Sequence, residues 1–230
     1  MGKTKQVYEI NDLKLNAEDL MLCETIFHNA NGYIGVRSCF EEGYPDGCDS
    51  IRGTYINGFY DIAEMKQAER LCGLIEEKQT MLNVADTQTI LLYLEDERFS
   101  MFEGTVISSR RWLDMEQGIT GRYVHWRSPS GREIELTVKR MASLCQLSLF
   151  TIEYRVKALN FSGRVKLVSR HLGEVMNYSN ANDPRTARES VRYLYPEKAV
   201  VKDGASYLVS RTSRSGLEQC TGVKNILSKP

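Results

Sequence analysis

Between Arg122 and Lys139 polar and apolar side chains alternate around a single break. Arg122-Tyr123-Val124-His125-Trp126 is followed by Ser128-Pro129-Ser130-Gly131, which has the composition of a turn. Glu133-Ile134-Glu135-Leu136-Thr137-Val138-Lys139 then alternates again. A period of two sends successive side chains to opposite faces of an extended chain. The stretch therefore reads as a hairpin with one wet face and one dry face. Related segments recur. Thr89–Leu94 is a short apolar run closed by the turn-like Glu95-Asp96-Glu97-Arg98. Leu147–Val156 sets Leu147, Leu149, Thr151, Glu153 and Arg155 against Ser148, Phe150, Ile152, Tyr154 and Val156. Asn160-Phe161-Ser162-Gly163 is a turn before Val165–Ser169, and Ser206–Arg211 is a late strand. Strands at this spacing predict an all-β fold: a large antiparallel β-sandwich of two stacked sheets with little helix.

Only Ile62–Met81 departs from this pattern. Its Ile62, Met65, Leu71, Leu74 and Ile75, set among charges, suggest a short helix or an irregular loop, weakened by Gly73. Glu174–Pro196 is polar and reads as a long surface excursion. A chain of 230 residues without repeats suits one large domain, residues 1–230.

Charge excludes several functions. Thirty Lys and Arg balance thirty Asp and Glu, so there is no electrostatic case for nucleic acid or an anionic membrane as a partner. No apolar run is long enough to span a bilayer. The opening MGKTKQVYEINDLKL lacks the apolar core of a secretory signal, and Gln6 breaks the myristoylation pattern. A cytoplasmic location is expected. Cys23, Cys39, Cys48, Cys72, Cys145 and Cys220 form no Cys-x-x-Cys pair and no Cys/His ligand spacing, so no metal site is expected. Without an export signal the thiols are expected to be reduced. The sequons at Asn160 and Asn177 are then chance matches.

Glycine and aromatic residues crowd the stretch from Cys23 to Asp61. Three runs stand out: Asn29-Ala30-Asn31-Gly32-Tyr33-Ile34-Gly35-Val36-Arg37, Phe40-Glu41-Glu42-Gly43, and Gly53-Thr54-Tyr55-Ile56-Asn57-Gly58-Phe59-Tyr60-Asp61. Gln79–Val84, Arg111-Trp112-Leu113-Asp114-Met115-Glu116-Gln117-Gly118, Arg122–Trp126 and Val138–Leu144 follow in order. The ordered set resembles the N-terminal domain of glycoside hydrolase family 65, which includes maltose, trehalose, kojibiose and nigerose phosphorylases. The resemblance implies an elaborated sandwich, a supersandwich related to the galactose mutarotase fold. In the family, linker helices, an (α/α)6 barrel and a small C-terminal sheet domain follow. The barrel carries the catalytic glutamic acid and the phosphate-binding residues, so no catalytic residue is carried over to this chain. Inorganic phosphate is implied as co-substrate, with no cofactor, and a disaccharide as substrate. The partners implied are the chain's own barrel and a second copy in a homodimer. The chain stops at Asn225–Pro230 without a tail signal, which suggests a truncated final strand. Where family members often have Arg-Gly, this sequence has Arg37-Ser38-Cys39.

The structural motif expected from these runs comprises Asn31, Gly32, Tyr33, Gly35, Arg37, Glu41, Glu42, Gly53, Tyr55 and Gly58. Glu41 and Glu42 are adjacent carboxylates. On an extended strand they would point to opposite faces and could not flank one sugar bond, so a solvated or loop-anchoring pair is the expected role. Glu76-Glu77 has the same weakness. Trp112 and Trp126 could stack on sugar rings, although two tryptophans also serve as core anchors. His125 and His171 are candidates for acid–base work of the mutarotase kind, set against an ordinary structural role; His28 is the third imidazole. Asn29, Asn31, Tyr33 and Arg37 form a polar and aromatic cluster that turn chemistry alone would explain. Three alternatives to the phosphorylase domain stand: a hydrolase of the same family, a non-catalytic carbohydrate-binding module, and a mutarotase-like enzyme. Thiol titration of the denatured, never-reduced protein should find six free thiols. A count of two or fewer would refute the cytoplasmic expectation.

Overall fold

The computed structural model of the protein describes residues 7–64, 73, 75–180 and 191–228. In chain order the elements are β1 (Val7–Asn11), α1 (Ala17–Ile26), β2 (Asn29–Ala30), β3 (Ile34–Val36), β4 (Thr54–Glu64) and β5 (Glu77–Asn83). Next come β6 (Ile90–Leu94), β7 (Glu97–Arg98), β8 (Thr105–Asp114), β9 (Ile119–Arg127) and β10 (Glu133–Ala142). The last five are β11 (Phe150–Ala158), β12 (Val165–Ser169), β13 (Leu194–Lys202), β14 (Ala205–Thr212) and β15 (Glu218–Lys224). The fold is all-β and antiparallel, as the alternation predicts; the described strands fall into several sheets where two were expected. The chain forms two compact units, residues 1–52 with 88–170, and residues 53–87 with 171–230.

The first unit is built on a five-stranded antiparallel sheet in the order β1-β8-β9-β10-β11. The hairpin expected around Ser128–Gly131 is its centre, with Ile134 opposite Trp126 and Leu136 opposite Val124. Every second residue of β10 is buried. Ile134, Leu136 and Val138 meet Val124 and Trp126 on the inner face. Leu92 and Leu94 of β6 pack against them, with Phe99, Met101, Leu20 and Phe40. A smaller sheet, β12-β6-β7, carries those leucines. On β11 the row Phe150, Ile152, Tyr154 and Val156 is the less exposed side, as the pattern predicts.

Both described ends of the stretch expected as a short helix or irregular loop are strand. Ile62 belongs to β4 and Gln79 to β5, and they pair directly; residues 65–72 and 74 lie outside the described residues. Phe59, Asp61 and Ala63 point inward, a period-two signal hidden because two of the three are small or charged. The helix is α1. Asn16 caps it, its Oδ1 accepting from the Asp19 amide at 3.0 Å. Its buried stripe is Leu20, Cys23 and Glu24. A carboxylate in that stripe masks the apolar period.

In the second unit β4 pairs with β5, and β13-β14-β15 form a three-stranded antiparallel sheet. Phe59, Leu82, Val84 and Leu194 make its core. Asp61 fixes the loop after β14 by accepting from the amides of Ser213, Arg214 and Ser215. The expected excursion at Glu174–Pro196 is tied down at both described ends. Asn177 accepts from the Asn83 amide at 2.9 Å and donates to the Met81 carbonyl at 2.8 Å. Leu194 is buried at the start of β13; residues 181–190 lie outside the described residues. Cys23, Cys39, Cys48, Cys145 and Cys220 are free thiols, and Cys72 lies outside the described residues.

Gly32 and Gly58 are among the glycines with positive φ. Gly32 has φ +87°, in the turn between β2 and β3. Gly58 has φ +79°, yet it sits inside β4 rather than in a turn, where the register shifts between Tyr55 and Tyr60. It marks a β-bulge. Gly35 is extended, and only the Ala30 Cβ lies near, at 3.9 Å. Gly32→Ala and Gly58→Ala should each lower stability by about 1–2 kcal/mol, read as a fall in the urea midpoint, while Gly35→Ala leaves it unchanged or raised. Equal behaviour of all three would refute the backbone assignment.

Candidate functional site

Three arginines lie on the inner face of the five-stranded sheet: Arg111 on β8, Arg122 on β9 and Arg140 on β10, each buried. Arg122 shares its face with Val124 and Trp126, and Arg140 with Leu136 and Val138. A guanidinium there must be met by acceptors. The segment after β3 supplies them. Arg122 donates to Glu42 Oε1 at 2.7 Å, Glu42 Oε2 at 2.5 Å and Glu41 Oε2 at 2.6 Å. Arg140 Nε donates to Glu41 Oε1 at 2.7 Å, and its Nη2 reaches the same oxygen. Arg140 also reaches the Gln88 amide oxygen at 3.0 Å.

The backbone of the same segment is gripped as well. Arg140 donates to the carbonyls of Arg37 at 3.3 Å and Cys39 at 2.5 Å. Arg111 takes the Ser38 carbonyl at 2.5 Å and the Ser38 hydroxyl at 2.6 Å. Arg52 takes the Phe40 carbonyl at 2.9 Å, and Arg98 the Glu42 carbonyl at 2.6 Å. The Ser38 hydroxyl gives Arg111 an acceptor beyond the backbone. Among the described residues no carboxylate meets Arg111. Its Nε and Nη1 find no acceptor among the described residues, and its guanidinium lies 5.1 Å from the Phe27 ring and 5.6 Å from that of Phe40. The ring faces partly replace the missing anion.

This corrects the expectation for Glu41 and Glu42. They lie in a turn, not on an extended strand, and the turn brings both carboxylates to one guanidinium. They are each 1 % exposed, not solvated; the loop-anchoring half of the expectation stands. Burial alone would raise the Glu41 carboxyl, but Arg140 and Arg122 outweigh it and hold it down at about 2. For Arg122, burial works against the charge, and Glu42 and Glu41 outweigh it and raise its pKa. Burial lowers the pKa of Arg111, helped by repulsion from Arg140 and Arg122. A carboxylate ionised and saturated in this way cannot protonate a leaving group. The cluster orders a loop.

The other candidates do not converge on it. Trp126 is fully buried, its Nε1 donating to the Glu103 carbonyl at 2.7 Å and its ring edge-on to Phe99. Trp112 is half-buried on the outer face of the sheet. Its ring fills the space that a Cβ on Gly121 would need, and Arg110 stacks over it at 5.2 Å. Neither tryptophan offers a free platform, which counts against the carbohydrate-binding module. His125 meets Glu133 at 3.0 Å on that outer face, and Arg127 holds the other Glu133 oxygen at 2.8 Å. His125 and Arg127 lower the Glu133 pKa through their hydrogen bonds. His171 bridges the Ser206 and Thr221 hydroxyls at 3.0 and 2.8 Å, and burial lowers its pKa. His28 contacts the Thr25 carbonyl. Asn29 accepts from the Thr120 hydroxyl, and Arg37 reaches the Thr25 hydroxyl at 3.2 Å. Asn31 caps its own turn by accepting from the Tyr33 and Ile34 amides. The Tyr55 ring stands 2.7 Å from where a Gly53 Cβ would be. Among the described residues no group of three His, Cys, Asp or Glu could hold a metal ion. Sequence reasoning missed Arg111, Arg122 and Arg140, although the last two lie in phase with the apolar residues of β9 and β10.

The family description "Glycosyl hydrolase family 65, N-terminal domain" matches residues 10–230. An alpha,alpha-trehalose phosphorylase of Geobacillus stearothermophilus is 42% identical over 212 residues, 91% of this chain and 28% of that protein. A kojibiose phosphorylase of Halothermothrix orenii is 32% identical over 208 residues, 90% of this chain and 24% of that protein. The solved structure of a putative kojibiose phosphorylase from human microbiome superposes with TM-score 0.70 at 21% identity, covering 89% of this chain and 25% of that one. At that identity it shows the fold alone. The chain spans about a quarter of the length of these relatives.

Two measurements check the cluster. Arg122→Met leaves two buried carboxylates short of their counter-charge and should cost about 3–5 kcal/mol in urea unfolding. Glu41 is depressed from 4.5 to about 2, so the stability it contributes is present above pH 4.5 and lost as pH falls through 2. Glu41→Gln should flatten the acid limb of the stability curve over that window. An unchanged limb would refute the pairing.

Proposed function

Because the chain belongs to glycoside hydrolase family 65, whose N-terminal domain description spans residues 10–230, we propose that it is the scaffold domain of an inverting disaccharide phosphorylase. The observation that carries this reading is the 42% identity to a trehalose phosphorylase across 91% of the chain. α,α-Trehalose is therefore the first substrate to test. In such a reaction a carboxylic acid protonates the glycosidic oxygen and that C–O bond breaks. Phosphate attacks the anomeric carbon from the opposite face, taking the place that water has in an inverting hydrolase. The products are β-glucose 1-phosphate and a free sugar.

This chain's own side chains are set for a different task. Glu41 and Glu42 are spent on Arg122 and Arg140, and Glu133 on His125 and Arg127. The acid and the phosphate site belong to polypeptide beyond this domain, an (α/α)6 barrel on which the domain packs and whose entrance it shapes. The domain supports a homodimer, and the enzyme works in the cytoplasm. Among the described residues no helix is long and apolar enough to cross a membrane.

The test uses the full-length protein with phosphate and, separately, trehalose, kojibiose, maltose and nigerose. Release of β-glucose 1-phosphate is the expected outcome. Free glucose without sugar phosphate would replace the phosphorylase reading with that of a hydrolase. The 230-residue chain alone should release no sugar phosphate, and robust turnover by it would overturn the scaffold role.

A further inference from the structure

One corner of the first unit is neither charged nor buried. From Met141 to Ile152 the sequence holds no Asp, Glu, Lys or Arg, in a chain that is 26% charged. The loop between β10 and β11 lies in this stretch. It turns out Leu144, Leu147 and Leu149, which are 78%, 47% and 42% exposed. Tyr33, at the tip of the β2–β3 hairpin and 42% exposed, stands at the same corner. Asn31 joins the two segments, its Nδ2 donating to the Ser143 carbonyl at 2.6 Å and the Leu147 carbonyl at 2.9 Å.

The loop is also braced from within. The Ser143 hydroxyl accepts from the amides of Cys145 at 3.3 Å and Gln146 at 3.0 Å. Ser143 and Leu149 are joined by a backbone hydrogen bond of 2.9 Å, as are Leu149 and Gln146. The leucines are therefore presented on a fixed frame, and little ordering entropy is lost when something covers them. Depletion of charge together with exposed aliphatic and aromatic side chains is the composition of an interface centre.

We infer that this corner is a contact surface for the polypeptide that follows the domain in the full-length protein, with an apolar recess there receiving Leu144 and Leu147. The inference rests on the reading of the chain as one domain of a longer enzyme. The occupant follows from length. The relatives extend about three to four times as far, and tethered polypeptide is present at an effective concentration on the order of millimolar.

Cys145 is exposed beside Leu144 and reports on the surface. Its alkylation rate, read by peptide mass spectrometry, is compared between the native full-length protein and a synthetic peptide of residues 141–152. Protection of at least about tenfold, unchanged by dilution and relieved by the double substitution Leu144→Asp and Leu147→Asp, is expected. Labelling of the native protein at the peptide's rate would overturn the inference. Protection that disappears on dilution would overturn it in favour of a second copy. The readout does not depend on turnover: a labelled, fully active enzyme refutes this surface alone, and a protected enzyme that makes no sugar phosphate refutes the phosphorylase reading alone.

Discussion

A guanidinium cannot shed its charge at any pH a folded protein survives, so an arginine on the inner face of a sheet dictates what must face it. Three such arginines stand on adjacent strands of the five-stranded sheet. The segment from Arg37 to Glu42 answers them with two carboxylates and several carbonyls. Its path is set by the donors rather than by strand pairing. That settles the conflict between a loop carrying obligate polar groups and a position against the core. Replacing such a network with apolar residues is often no less stable, but removing one member leaves its partners as bare buried charge. The arrangement therefore specifies one loop conformation more than it adds stability.

Much of the first unit could be read before its structure. The hairpin of β9 and β10 and the sided strand β11 follow from alternation, because a pleated strand converts sequence parity into burial. The positive φ of Gly32 and Gly58 is compatible with their Asn-Gly pairs, though only Gly32 lies in a turn. The failures have one physical source. Alternation shows itself through polarity, and polarity misleads wherever an ion is buried. Arg122 and Arg140 count as polar but sit among Val124, Leu136 and Val138. Glu24 breaks the stripe of α1, and Asp61 the inward row of β4. For Glu41 and Glu42, nothing local announces that two arginines some 80 to 100 residues away will bend the chain around themselves.

The candidate site was legible mainly as a list of residues that do not do chemistry. The histidines found structural partners, Trp126 went to the core, and Trp112 is covered by its own strand neighbours. In the function proposed above the domain serves as a frame of fixed shape, and the family relationship, not a set of reacting groups, connects it to an activity.

The span of the arginine contacts has a bearing on synthesis. Glu42 meets a guanidinium 80 residues later in the chain, and Glu41 one that is 99 residues later. At about 5–20 residues per second, the two carboxylates wait several seconds on the ribosome before any counter-charge exists. Through that interval the glycine-rich segment cannot take its final path, and the central sheet has to arrive first. The segment that most identifies the family is thus among the last parts of the unit to settle.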